Sequence, residues 1–232
     1  MAAPVADPAA QTATKRKRQE NGDSSKKRRK SAGADDVEPE GPKARIQKLE
    51  AEIQESRKHY NNIAALIELA QRHRADPKTA LPASEALCRI FIRLLAAGNL
   101  VKRKDVSEKD ATVTGWLRDR LADYRGSLLS MLRSRELASN ALVLAMAILK
   151  AEAQHLSEHG EPVFPRYFFA DILASLLKSP AEHIRDEFSE KFVDEYDDIR
   201  FYTFEALKSV ALLFPSLCAM LTSTQGLSGR PR

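Results

Sequence analysis

The sequence has little of what β-sheets, disulfide frameworks and metal-binding thiol clusters require. Its 232 residues include 9 glycines and 2 cysteines. Cys88 and Cys218 lie far apart in apolar stretches, so we interpret them as buried thiols in a reducing compartment. β-Branched residues are sparse beside Ala, Leu, Lys, Arg and Glu, and this balance favours helix over sheet.

Long apolar runs are also missing. The longest, residues 206–221, is interrupted by Lys208, Ser209 and Pro215 and falls short of the roughly 18 residues that a membrane span needs. The Ala- and Pro-rich N-terminus has no apolar core of signal-peptide length. The sequence therefore predicts a soluble intracellular protein with no membrane partner.

The sequence contains no phosphate-binding glycine loop and no Gly-x-Ser-x-Gly elbow. Residues 155–159 (HLSEH) match the H-x-x-E-H order of an inverted zinc-peptidase pattern. Such a site needs a further ligand from a downstream helix, whereas this string lies at a helix end just before Gly160, where histidines are favoured by the helix dipole. We therefore expect no catalytic residue, metal ligand or cofactor, and a protein that is not an enzyme.

Positive charge is concentrated near the N-terminus. The formal net charge is +5, and residues 15–30 alone carry +7, which leaves −2 for the rest of the chain. Two short basic clusters in a polar context suit the groove of a nuclear-import receptor, so we interpret them as a nuclear-import signal. The signal consists of Lys15, Arg16, Lys17, Arg18, Lys26, Lys27, Arg28, Arg29 and Lys30.

Two other interpretations of the basic clusters remain open: a non-specific RNA-binding arm and a solubilising tail. Phosphate contacts alone would give salt-sensitive, sequence-independent affinity. No aromatic residue lies within residues 1–59, so the tail has no platform on which bases could stack.

The chain divides into a tail, a helical region and a short polar end. Residues 1–42 contain neither Leu nor an aromatic residue and are predicted to be disordered. Residues 43–222 are predicted to form a helical scaffold domain, and residues 223–232 a disordered C-terminus. Amphipathic spacing predicts about seven helices, over residues 43–75 (with a weak point at 61–62), 82–97, 111–133, 136–157, 166–178, 181–194 and from 197 onward.

Helix pairs that recur about every 40–50 residues indicate an all-α, armadillo/HEAT-like α-solenoid preceded by a disordered basic tail, with a compact bundle as the alternative. Residues 136–157 are apolar nearly all round and should be the most buried helix. Gly98 and Asn99 supply the chemistry that ends the second helix. The strongest repeat signal is an acidic pair that caps a helix opening with Ile-Arg, formed by Asp197, Asp198, Ile199 and Arg200.

The same region is strongly acidic. Residues 182–205 carry nine acids against three bases. One interpretation is a solvated helical face; the other is a docking face for a basic partner, with Glu187, Glu190, Asp194 and Glu195 as its candidate residues. The aromatic residues interleaved with them are predicted to be core: Phe188, Phe192, Tyr196, Phe201, Tyr202 and Phe204.

Four segments together resemble the N-terminal half of the nucleolar complex protein four branch of the CCAAT-binding-factor/nucleolar-complex family. They are residues 49–70 (LEAEIQESRKHYNNIAALIELA), 86–100 (ALCRIFIRLLAAGNL), 116–132 (WLRDRLADYRGSLLSML) and 191–207 (KFVDEYDDIRFYTFEAL).

The resemblance implies a nucleolar scaffold in small (40S) ribosomal subunit biogenesis and pre-rRNA processing. Within the small-subunit processome it would work through contacts with other nucleolar assembly factors, with at most indirect contact to pre-rRNA. Members of the family continue into a C-terminal domain, with which their main partner contact is associated. This chain ends before that domain, so we expect a truncated form or fragment in which stable pairing is in doubt.

The family's name also suggests an alternative, a nuclear transcription-related binding protein of the CCAAT-binding-factor type. A module that reads DNA bases needs a positively charged face on its folded part. Because the residues outside 15–30 sum to −2, the charge distribution disfavours this alternative.

Replacing the nine basic residues of 15–30 with alanine should leave the protein in the cytoplasm, because an import receptor would lose the side chains that it binds. Fluorescence microscopy of tagged wild-type and variant chains checks this. An unchanged nuclear signal would exclude the import assignment.

Overall fold

The computed structural model describes residues 41–102, 107–158 and 161–213. At residues 157–158, 161–162 and 209–213 only the backbone is described. The predicted import signal, the rest of the tail up to residue 40 and the predicted disordered C-terminus at 223–232 lie outside these ranges. Their assignments therefore stay predictions.

Within the described ranges the chain forms eight α-helices. A two-residue antiparallel hairpin, β1 (Ser157–Glu158) and β2 (Glu161–Pro162), joins the fifth helix to the sixth. None of the described helices combines the length and apolarity needed to cross a membrane. The helices are α1 (Pro42–Glu55), α2 (Asn62–Gln71), α3 (Pro77–Ala96), α4 (Glu108–Met131), α5 (Ala138–His155), α6 (Arg166–Leu177), α7 (His183–Phe188) and α8 (Asp197–Leu213).

The prediction of a single first helix is wrong. The chain becomes extended at Ser56 (φ −152°, ψ 142°), which separates α1 from α2. The Asn62 amide donates a hydrogen bond of 2.7 Å to Glu52 across the break, and a short 3₁₀ turn fills the gap. The break therefore precedes the weak point predicted at residues 61–62.

Helix α3 begins earlier than predicted. Asp76 accepts a hydrogen bond of 3.1 Å from the Thr79 backbone N–H, and Pro77 occupies the first turn, so the Asp-Pro pair that ends one helix also caps the next. At the other end Gly98 has φ 71°, and the Asn99 N–H donates to the Leu94 carbonyl at 3.0 Å. This is a Schellman C-cap, which confirms the predicted helix end.

The helices form two layers. Helices α1, α3, α5 and α7 form one layer, and helices α2, α4, α6 and α8 form the other. Within each layer, every helix packs against the following helix of the same layer. Stacked helix pairs of this kind define an α-solenoid. The prediction of an all-α, solenoid-like fold is therefore confirmed for the described residues, with the small hairpin as an unpredicted addition.

Helix α5 contacts four neighbours, α3, α4, α6 and α7. It buries nine of its 18 residues. The expectation that it is the most buried helix is wrong, because α3 buries an equal share of its residues, ten of 20. Along one stripe of α5 the chain leaves Val143 48% exposed.

A buried ion pair ties α5 to the opposite layer. The Glu152 side chain is fully buried, and one of its oxygens accepts a 2.7 Å hydrogen bond from Arg125 Nε on α4 and a second from Arg125 Nη2. The guanidinium also lies 4.8 Å from the centre of the Phe168 ring on α6. Burial raises the pKa of Glu152, and Arg125 only partly offsets this. The pair therefore links α4, α5 and α6.

A second pair anchors α1. Glu50 is buried and accepts hydrogen bonds from Arg89 (2.9 and 2.7 Å) and Arg93 (3.3 Å) on α3. The Arg89 hydrogen bond lowers the pKa of Glu50 in spite of its burial. Helix α1 is thus attached to the domain through a buried carboxylate.

Replacing Arg125 with Met should lower the free energy of unfolding by about 3–5 kcal/mol, because it leaves the Glu152 charge buried without its partner. Adding Glu152→Leu should recover most of this loss, since an apolar pair of similar size removes the buried charge. Urea unfolding followed by circular dichroism measures both effects. Breaking the half-exposed Arg120–Asp123 pair (3.0 Å) with Asp123→Ala is the control and should cost less than about 1 kcal/mol. Equal losses for the Arg125 and Asp123 variants would contradict the account.

The stability of the Arg125→Met variant should also depend on pH, in a direction that the pKa of Glu152 determines. The pKa of Glu152 is raised in the folded state, so folding favours the protonated carboxyl. The contribution of Glu152 to stability should therefore be largest below the ordinary Glu pKa and fall as the pH rises through the raised value. Glu50, whose pKa is lowered, titrates in every variant, so the reference is Arg125→Met with Glu152→Leu. The unfolding midpoint of Arg125→Met minus that of the reference should fall as the pH rises, and a difference that rises with pH would contradict this.

Candidate protein-docking site

An apolar groove follows the uncovered stripe of α5, and we call it the α5 groove. It contains a cavity of about 400 Å³ and a smaller one of about 300 Å³ that shares Val143 with it. The floor of the larger cavity comes from α5, and its wall comes from the chain just before α6 and the chain from the end of α7 into α8. The floor is Val143, Met146, Ala147, Leu149, Lys150, Ala153 and Gln154, and the wall is Phe164, Phe192, Tyr196, Asp198 and Ile199.

The groove exists because α7 is short. Helix α7 has six residues, whereas α5, on which it packs, has 18. After Phe188 the chain passes into a π-helical segment, Ser189–Val193, and then a turn before α8. The C-terminal half of α5 therefore has no complete helix beside it in its own layer.

Stacked aromatic rings hold the groove wall in place. Phe164 stacks on Tyr202 of α8 with ring centres 3.8 Å apart, and meets Phe169 of α6 edge-on at 5.3 Å. Phe188 lies 6.0 Å from Phe192 and 6.3 Å from Phe169. These contacts connect the wall to the buried core, so it is supported from behind.

A second apolar surface lies on α8, and we call it the α8 stripe. It consists of Phe201 (60% exposed), Phe204 (58%) and Leu207 (36%), whose three-residue spacing places them along one side of a helix. The prediction that all six aromatics of this region are core is therefore wrong for Phe201, Phe204 and the half-exposed Tyr196. Among the described residues, α8 packs against α6 and the π-helical segment before it. Thr203 and Tyr202 lie on the buried side of α8, and Phe201 and Phe204 lie on the exposed side.

One of the four predicted docking acids, Glu187, differs in setting from the other three. Glu187 is half-buried beside the groove and receives a 2.7 Å hydrogen bond from Lys191. Burial would raise the pKa of Glu187, but the hydrogen bonds from Lys191 and Ser139 outweigh it, so the pKa is lowered. Glu190 lies exposed on the π-helical segment. Asp194 and Glu195 are exposed in the turn between Phe192 and Tyr196.

The four-residue repeat signal organises this turn through its arginine. Arg200 donates to the backbone carbonyls of Val193 (3.2 Å) and Asp194 (3.0 Å) and forms a 2.9 Å ion pair with Asp197. Asp198 accepts a 2.8 Å hydrogen bond from the N–H of Ile199, whose side chain is buried. The arginine thus fixes the turn that carries the acids, while Asp198 and Ile199 line the groove.

Within the described residues, neither the HLSEH string nor the Ser130–His73 contact has the geometry of a metal site or a catalytic triad. Helix α5 ends at His155, and Glu158 lies in β1, so the HLSEH string is not one helical turn; His159 lies outside the described residues. Among the described residues no three potential ligands cluster. The Ser130 hydroxyl lies 3.3 Å from Nε2 of His73, but the buried Nδ1 of that ring has no hydrogen-bond partner where a triad would place a carboxylate.

Sequence reasoning identified the acids but missed the groove. Val143, Lys150 and Phe164 carry no motif, and their role depends on how far α7 extends. The sequence signal that could have revealed the groove is the apolar character of α5 on nearly every side. Such a helix needs neighbours on every side, and α7, the next helix of its layer, is too short to cover its full length.

Comparison with known proteins gives two results. Residues 33–214 match the family model described as nucleolar complex protein 4-like, TPR repeats. An uncharacterized protein of Schizosaccharomyces pombe is 31% identical over 171 residues, which are 71% of this chain and 35% of that protein. The chain thus spans about a third of the relative's length.

Replacing Arg200 with Ala should lower the free energy of unfolding by about 1–3 kcal/mol, because two backbone carbonyls lose a charged donor. Thermal melting followed by circular dichroism measures the loss. The control is Lys178→Ala, which removes an exposed charge and should change stability by less than about 0.5 kcal/mol. An unchanged melting temperature for Arg200→Ala would argue against a HEAT-type capping role at this turn.

Proposed function

The chain belongs to the nucleolar complex protein 4-like family, and we propose on that basis that it acts in the nucleolus as an assembly factor for the small (40S) ribosomal subunit. The family match covers the described helices almost completely, over residues 33–214. In this role the protein supports pre-rRNA processing without catalysing a reaction itself.

We propose that the protein works by holding other nucleolar assembly factors. Helical-repeat domains of this type bind proteins through their extended surfaces. The observation that carries the proposal is the pair of uncovered apolar surfaces, the α5 groove and the α8 stripe, since exposed apolar patches on soluble proteins mark interaction sites. Contact with pre-rRNA is indirect in this proposal, because the net charge outside residues 15–30 is −2 and phosphate binding requires a positive surface.

The proposal assigns entry into the nucleus to the tail. An import receptor would bind the basic clusters of residues 15–30, and the helical domain would then be retained in the nucleolus by its partners. The two parts therefore have separable roles, one in delivery and one in assembly.

Depleting the protein from cells should lower newly made small-subunit rRNA and raise its unprocessed precursors, while large-subunit rRNA persists. Pulse labelling of rRNA measures this, and expression of the full chain should restore the pattern. A variant carrying alanine at the basic positions of 15–30 should restore it poorly. Unchanged small-subunit rRNA on depletion, or a loss confined to the large subunit, would contradict the proposal.

A further inference from the structure

We infer that the α5 groove binds an amphipathic helix of a partner protein, with apolar residues on its inner side and Lys or Arg on the side that faces residues 187–198. The inference rests on the proposed function, in that it names the kind of partner held by a protein that works through protein–protein contacts.

The shape of the groove fits a helix. Its floor is a stripe of α5 from Ser139 to Gln154, which at 1.5 Å per residue is about 22 Å long. The stripe residues recur at three- and four-residue steps. Rows of side chains at this spacing form the ridges and grooves through which two helices pack. A partner helix in this position would continue the layer of α1, α3 and α5 where the short α7 leaves it incomplete.

The chemistry of the floor requires an apolar inner side. Val143 is 48% exposed at the point that both cavities share, and Met146, Ala147 and Ala153 continue the floor. Tyr196, 51% exposed, lines the same cavity from the wall. An anchor residue such as leucine placed here would remove apolar surface from water on both partners, which is how helix-in-groove complexes gain affinity.

The charge of the wall selects a basic partner. Residues 182–205 carry nine acids and three bases. Lys191 is paired with Glu187, and Arg200 with Asp197, whereas Glu190, Asp194 and Glu195 are exposed and form no ion pair among the described residues. Asp194 and Glu195 lie in the chain between the wall residues Phe192 and Tyr196, and a third acid, Asp198, lines the cavity itself. Complementary charge at the rim of an apolar site speeds association and excludes wrong partners.

The same features disfavour nucleic acid as the occupant. A phosphate backbone would face unpaired carboxylates, and Lys150 is the single cation of the larger cavity's lining among the described residues. RNA binding is therefore an outcome that the experiment must exclude rather than a second proposal.

The test measures binding of a synthetic amphipathic peptide of about 16 residues, with leucine at the a and d positions and lysine elsewhere. The peptide carries a fluorescent label, and fluorescence anisotropy reports its binding to the full chain. Every chain in the experiment has alanine at the nine basic positions of 15–30, so that the tail neither competes with the probe nor binds the control ligands.

Two variants address the groove, and a third is the control for general charge. Val143→Asp places a charge on the exposed floor, and the pair Asp194→Lys with Glu195→Lys reverses the rim; each should weaken binding of the peptide at least about tenfold. The control pair, Glu55→Lys with Glu68→Lys, makes the same charge change at exposed positions on α1 and α2 and should alter affinity less than about twofold. Unchanged melting temperatures establish that each variant is folded.

Three results would overturn the inference. They are equal weakening by the rim pair and the control pair, equal affinity for a peptide with glutamate in place of lysine, and binding of a short single-stranded RNA that Val143→Asp abolishes. A self-association seen by sedimentation, lost in Val143→Asp and without peptide binding, would assign the groove to a second copy and overturn it as well. Failure of peptide binding leaves the rRNA labelling result unaffected, so the inference and the proposed function can fail separately.

Discussion

The burial of helix α5 is the constraint on which the domain depends. Its sequence, ASNALVLAMAILKAEAQH, is apolar on nearly every side, so the helix is stable in water only when other elements surround it. Helices α3, α4, α6 and α7 supply that cover. The Glu152–Arg125 pair, with its contact to the Phe168 ring, holds the two layers together at the end of α5 where the hairpin begins.

The same constraint explains the location of the proposed docking site. Cover of α5 is complete toward α3 and α4 and incomplete toward the six-residue α7, so the uncovered stripe becomes the floor of a groove. The stacked rings of Phe164 and Tyr202 and the hydrogen bonds of Arg200 then hold the wall beside it. An acidic rim beside an apolar floor is a surface that favours one class of partner, and the proposed scaffold role requires selectivity of this kind.

Much of the fold could be predicted from the sequence because local signals determine it. Helix periodicity and the glycine at residue 98 predict most of the helices and the end of α3. The signals fail where tertiary contacts decide. They predict one helix over residues 43–75, although α1 ends at Glu55, and they predict Phe201 and Phe204 as core, although both are exposed. An aromatic residue has the same local signature on either side of α8, and its burial depends on which neighbours exist. The groove was missed for the same reason, since the apolar residues of its floor do not differ in type from core residues.

The most direct test of the account is the accessibility of residue 143 in the free and the assembled protein. A Val143→Cys variant, in a background with Cys218→Ser, offers one accessible thiol among the described residues, because Cys88 is buried and its pKa is raised by that burial to about 11. Labelling with a maleimide should be fast on the purified chain and at least about tenfold slower in preribosomal particles isolated from cells, while Glu68→Cys on α2 should react at similar rates in both. Equal rates at residue 143 in the two preparations would mean that nothing occupies the groove, and would contradict the central claim.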